Sequence, residues 1–214
     1  MKTLTAYFNP ILCGLFFVLL TSSTAMMPNM EVAFKTLTYK IRPTSIMEVH
    51  GKTNVNAFCC TSKEQFAPKD LSFQLVPGTS RVKFQNTSLK IKIERLDCGS
   101  KLINRDLSKA LLADQYPEIV IELKEVYSPT CQDLTECGVE EQFIANTDIT
   151  ITCETETIKV PVQVTKLDTR SFRITGGTQL HLCDFAINPP TAMMGLIKVK
   201  DTIEISFDLY VDLV

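Results

Sequence analysis

Two short stretches carry most of the reactive side chains in this chain. Cys59 and Cys60 are adjacent, and His181-Leu182-Cys183-Asp184 sets an imidazole and a thiol two positions apart. Strand residues two apart share a face, so His181 and Cys183 read as neighbours on one face. Cys59, Cys60, His181 and Cys183 could together form a thiol- or metal-handling site. Against that, no Cys-x-x-Cys occurs, and nothing in the sequence brings the two segments together. A surface His beside a structural Cys is the simpler reading, and His50 likewise reads as an ordinary strand residue facing solvent or a partner. Neither Gly-x-Ser-x-Gly nor His-Glu-x-x-His is present. No catalytic residue and no metal ligand is assigned, and the protein reads as a non-enzyme. The pairs Asp106–Lys109 and Glu118–Glu122 fit a solvated surface.

The elements that hold these residues belong to an ordinary globular chain. It has 214 residues, 45% apolar and 21% charged, which suits one domain and excludes a disordered tail protein. Lys and Arg total 22 against 24 acidic residues, a net charge of −2. Without a basic excess there is nothing to neutralise a phosphate backbone, so no nucleic acid is expected as partner. The 8 glycines form no phosphate-cradling loop.

Residues 1–25 read as a secretory signal peptide. Lys2 precedes an apolar run at 11–20, followed by small residues at Ser23 and Ala25. A bilayer takes about 20 apolar residues, so this run does not span, and no stable membrane insertion is expected. Cys13 lies inside the run, where a lipid-attachment cysteine would not. The mature domain is then 26–214, periplasmic or secreted, and some of its cysteines should pair. Seven remain after Cys13, so at least one is free, metal-bound or joined to a partner. Cys131 and Cys137 flank a polar stretch after Ser128-Pro129 and are expected to form a local disulfide, contributing roughly 2 kcal/mol. Cys153 reads as a small buried hydrophobe within a strand.

The apolar period is two almost everywhere. Strict alternation covers 89–94, 149–153, 158–164 and 203–213, with weaker strands at 38–42, 45–51, 54–60, 71–76, 118–126, 172–175 and 179–185. Alternation of apolar and polar faces is the mark of antiparallel sheet. Gly176-Gly177 is expected to be a hairpin turn and Pro77-Gly78 another. Pro161 inside a strand calls for an edge or a bulge. One segment differs: Ile103, Leu107, Ala110, Leu111 and Leu112 are spaced for a short amphipathic helix over 103–114, ended before Tyr116-Pro117.

Such a chain is all-β with one short α-helix. Consecutive strands joined by short turns favour an antiparallel eight-stranded up-and-down barrel. Its inward stripes are Leu89, Ile91 and Ile93; Ile121 and Leu123; Ile149 and Ile151; Val160 and Val162; Phe172 and Ile174; and Ile205, Phe207 and Leu209. A barrel of this size is either filled by such side chains or holds one small ligand. The residues alone leave both open, along with monomer or homodimer.

Three stretches resemble the YceI-like family of exported lipid-binding proteins. They are residues 46–60, residues 89–119 with Asn104-Arg105-Asp106 and Tyr116-Pro117-Glu118-Ile119, and Cys183-Asp184-Phe185-Ala186 through Thr202-Ile203. The chain departs from the family pattern at 154–159, where a Gly-containing turn is usual, and at Ala186, where the pattern has Gly. The resemblance implies an extended, lipocalin-like barrel in the bacterial envelope. Its lumen would hold a polyisoprenoid or quinone-like lipid, with no other cofactor. The fourteen stripe residues would then line the ligand site, with affinity from apolar area removed from water at about 25 cal/mol per Å².

Overall fold

The computed structural model describes residues 33–132, 140–192, 194 and 196–214. The expected leader, and Cys137 with its expected bridge to Cys131, lie outside the described residues. The strands are β1 (Lys35–Ile41), β2 (Ile46–Thr53), β3 (Ala57–Ser62), β4 (Lys69–Leu75), β5 (Arg81–Gln85), β6 (Leu89–Lys92) and β7 (Leu96–Asp97). After the helix α1 (Lys101–Ala110) come β8 (Glu118–Tyr127), β9 (Glu140–Ile151), β10 (Glu154–Lys166), β11 (Ser171–His181), β12 (Thr191–Ala192) and β13 (Ile197–Leu213). Short 3-10 turns occupy Ile93–Arg95 and Leu182–Phe185.

Hydrogen bonding runs β1-β4-β5-β8-β9-β10-β11-β13, and β13 pairs back to β1, closing an eight-strand ring. The barrel expected from the alternation is therefore present. The 17-residue β13 is the seam. Its last residues pair with β1 (Ile41 opposite Val211), and its earlier part pairs with β2 (Val49 opposite Ile205). At that second end β3 continues from β2 to β7, and the β6–turn–β7 segment returns the wall to β8. Closure leaves the ring without free edges.

The registers define one inward face. Phe143, Ala145, Thr147, Ile149 and Ile151 alternate along β9, and they lie opposite Val162, Val160, Ile158, Glu156 and Glu154 of β10. At the β2 end, Ile93, Leu111, Ile149, Ile151, Leu180, Leu182, Phe185 and Ile187 form a packed core. Phe185 and Ile93 are 1% exposed there. Among the described residues the buried cluster at the β1 end is Ala145, Val160 and Val162, bordered by half-buried Leu123, Phe143, Ile174 and Phe207, with Ile41 and Val82 also buried on β1 and β5.

Several local expectations are corrected. Gly176 and Gly177 are not a turn: they lie inside β11, which joins 172–175 to 179–181, while 182–185, expected as strand, is a 3-10 turn. The hairpin of β9 and β10 turns at Thr152-Cys153, with Ile151 opposite Glu154, so residues 154–159 are strand. Thr152 takes the left-handed φ of 58° that such a tight turn requires. Cys153 is exposed at that tip, not buried. The helix ends earlier than spacing suggests. Leu112 is left-handed at φ 51°, and Ala113 N–H donates to Ser108 O while Leu112 N–H donates to Lys109 O. That is a Schellman closure built on Leu in place of Gly. Pro77-Gly78 does turn, with Gly78 at φ 67°. β5 went unrecognised in the sequence.

Candidate functional site

The inward face of the barrel and two thiol clusters on its outside are the places where chemistry could occur. Of the fourteen stripe residues, Ile93, Ile149 and Ile151 belong to the packed core, and Ile91, Val160 and Val162 are also buried. Leu89, Ile121, Leu123, Phe172, Ile174, Ile205, Phe207 and Leu209 are only half-buried. The eight share the inward register: Leu89 faces Ile121, Ile174 faces Leu209, and Phe172 faces Val211. Leu89, Ile121 and Ile205 adjoin the packed core, whereas Leu123, Phe172, Ile174, Phe207 and Leu209 lie toward the β1 end, where large apolar side chains on the concave face stay incompletely covered.

Sequence reading missed other residues of this face. Val126, Phe143, Ala145 and Val164 pack into the same cluster, and Phe73 stands opposite Phe84 on β4 and β5. A bulge between Leu123 and Glu125 shifts the alternation of β8, which hid Val126. Tyr39 lies opposite Leu213 on this face, and burial pushes its phenol up, so it stays neutral.

The four-residue thiol site is not assembled. Cys60 is fully buried and disulfide-bonded to Cys98, so it offers no ligand. This bridge ties β3 to the segment leading into α1, where Asn104 Oδ1 accepts from Cys98 N–H at 2.8 Å. Cys183 sits in the 3-10 turn and shares no strand face with His181. Both instead meet Asp201: His181 Nδ1 lies 3.2 Å and Cys183 Sγ 3.3 Å from Asp201 Oδ2. The hydrogen bond to Asp201 pushes the Cys183 thiol up, the opposite of what a nucleophile needs. Cys59 joins Glu48 and His50 on the outer face of the β2–β3 hairpin, with Cys59 opposite His50 in the register.

No family model matches the chain, and no curated protein matches it. Solved structures do. A polyisoprenoid-binding domain from Saccharophagus degradans matches 83% of this chain and 99% of its own, at 11% identity and a TM-score of 0.58. BcnA from Burkholderia cenocepacia matches 78% of this chain and 95% of its own, at 19% identity and a TM-score of 0.57. The chain has the YceI-like, lipocalin-type barrel fold. A Campylobacter jejuni YceI protein matches 66% of this chain and 80% of its own, at 16% identity and a TM-score of 0.47. In the YceI-like barrel of this chain, the packed core closes the β2 end and the half-buried apolar stripe faces the interior toward the β1 end.

Proposed function

We propose that the protein is a non-enzymatic carrier or sequesterer of a long apolar amphiphile, a polyisoprenoid or similar lipid, held in the barrel lumen. The observation that carries this reading is the contrast between the two ends of the interior. Phe172, Ile174, Phe207 and Leu209 stay half-buried although they face inward, whereas Ile149 and Ile151 are 4% and 3% exposed. An apolar chain placed against the uncovered stripe gains from area removed from water. A polyprenyl tail asks for no charged partner, and the paired stripe of β11 and β13 (Phe172 with Val211, Ile174 with Leu209, Gly176 with Phe207) is apolar. The fold shared with a polyisoprenoid-binding domain supports the same ligand class. The leader expected at 1–25 and the Cys60–Cys98 disulfide support export to an oxidising compartment, the bacterial envelope.

A pair of substitutions tests the lumen. Ile174→Trp should keep the circular dichroism of the wild type and abolish uptake of a fluorescent polyprenyl probe. Ile149→Trp, in the packed core, should cost roughly 1–3 kcal/mol through overpacking. If Ile174→Trp is as destabilising as Ile149→Trp, or is folded and still takes up the probe, the lumen reading fails.

A further inference from the structure

We infer that Glu48, His50 and Cys59 form a zinc-type metal site on the outer wall of the barrel. Alternation along β2 puts Glu48 and His50 on one face, and the β2–β3 register sets Cys59 directly beside His50. One ligand atom from each of the three lies within 4.8 Å of the others. His50 Nε2 is 3.3 Å from Glu48 Oε2. Two ligands bound tetrahedrally at about 2.0–2.1 Å from a zinc ion stand roughly 3.3 Å apart, so this pair is already at coordination spacing. To take the ion His50 Nε2 exchanges its 3.2 Å contact with Ser206 Oγ for the metal, and all three groups are accessible from solvent.

The donor set selects the ion. Mixed sulfur, nitrogen and oxygen ligands suit a borderline-soft cation such as zinc, whereas calcium and magnesium take oxygen alone. Three protein ligands leave a fourth position for water or for Glu204, which lies opposite His50 on β13. Desolvation and the nearby Glu48 carboxylate push the Cys59 thiol up, while a hydrogen bond from Thr61 pulls it down. A dication among the three groups offsets the Glu48 repulsion. Binding then converts the Cys59 thiol to a zinc thiolate and releases one proton to solvent. The site is independent of the lipid reading, since its side chains lie on the opposite face of β2 from Val49. Among the described residues Glu48, His50 and Cys59 are the group whose ligand atoms all lie within 4.8 Å of one another, so the His181–Cys183–Asp201 group serves as an internal control.

The test is titration of the metal-free, non-reduced mature protein with cobalt(II), a spectroscopic stand-in for zinc. A thiolate-to-cobalt charge-transfer band should saturate at one ion per chain and vanish on adding zinc, but not calcium or magnesium. Cys59→Ser should abolish the band and His50→Ala should weaken binding by about 100-fold or more, beyond the 10–100-fold typical of residues one step removed from a metal. Cys183→Ser should leave the band unchanged. Absence of the band, or a band that survives Cys59→Ser and is lost in Cys183→Ser, overturns the site. If Cys59→Ser does not fold, alkylation of the wild type decides: zinc should slow carboxymethylation of Cys59 at least tenfold, and equal rates with and without zinc refute it.

Discussion

The ring of Phe207 lies against Gly176, its direct partner across the β11–β13 ladder. A Cβ on Gly176 would stand 2.7 Å from Phe207 Cζ, 2.6 Å from Pro161 O and 3.0 Å from Val162 Cγ1. Glycine is needed here for space and not for its dihedral freedom. Gly176→Ala is expected to cost roughly 1–3 kcal/mol in chemical denaturation, because the backbone oxygen of Pro161 cannot swing aside. Unchanged stability would mean that the Pro161 carbonyl does not approach Gly176 so closely.

Ala186 closes the 3-10 turn in the left-handed region, at φ 54° and ψ 24°, and is exposed. A Cβ there is strained by about 1–2 kcal/mol, part of which glycine returns through the greater freedom of its unfolded chain. Ala186→Gly should therefore stabilise by about 0.5–1 kcal/mol. A lower melting temperature would contradict this.

These two positions mark where the sequence was legible and where it was not. The long alternations of β9, β10 and β13 announced the barrel, since a period of two over many residues has no other use. Gly176-Gly177 mimicked a hairpin because the signal for a turn and the signal for a close ring are the same missing side chain. Pro161 lies in a strand flanked on both sides, not at an edge of the ring: it pairs with Ile144 of β9, and the ladder from β10 to β11 begins one residue later, at Val162 opposite Gly176. β5 was lost because Arg81–Gln85 holds just two apolar positions, Val82 and Phe84. The Cys60–Cys98 bridge and the Glu48–His50–Cys59 group depend on which strands meet, and strand pairing cannot be read from spacing within one strand.

The Cys60–Cys98 bridge closes a loop with a sequence separation of 38. In the chain-entropy picture a loop of that length contributes about 4 kcal/mol. Cys60→Ala with Cys98→Ala should lower stability by an amount of that order, and non-reduced peptide mapping should recover residues 60 and 98 linked. Recovery of both as free thiols from oxidised protein would refute the bridge.

Arg42 clasps Asp212 through Nε to Oδ2 at 2.8 Å and a second guanidinium nitrogen to Oδ1 at 2.6 Å, with Ser171 Oγ donating to the same Oδ1 at 2.8 Å. Led by the Arg42 hydrogen bond, these partners lower Asp212 from 3.8 to about 2. A depressed carboxylate gives stability that is present above the unfolded value and is lost as pH falls through the folded one. The melting temperature should drop as pH goes from about 4 to about 2. Asp212→Asn should melt lower at neutral pH, with its deficit shrinking across that window. A deficit constant with pH would assign the loss to something other than the ion pair.

The most direct measurement of the central claim is native mass spectrometry of the protein isolated from its own source. The lipid-binding account expects a chain carrying one apolar adduct, stripped by organic extraction and restored by a polyprenyl lipid. A correctly folded protein that shows only its bare mass and takes up no such lipid would contradict it.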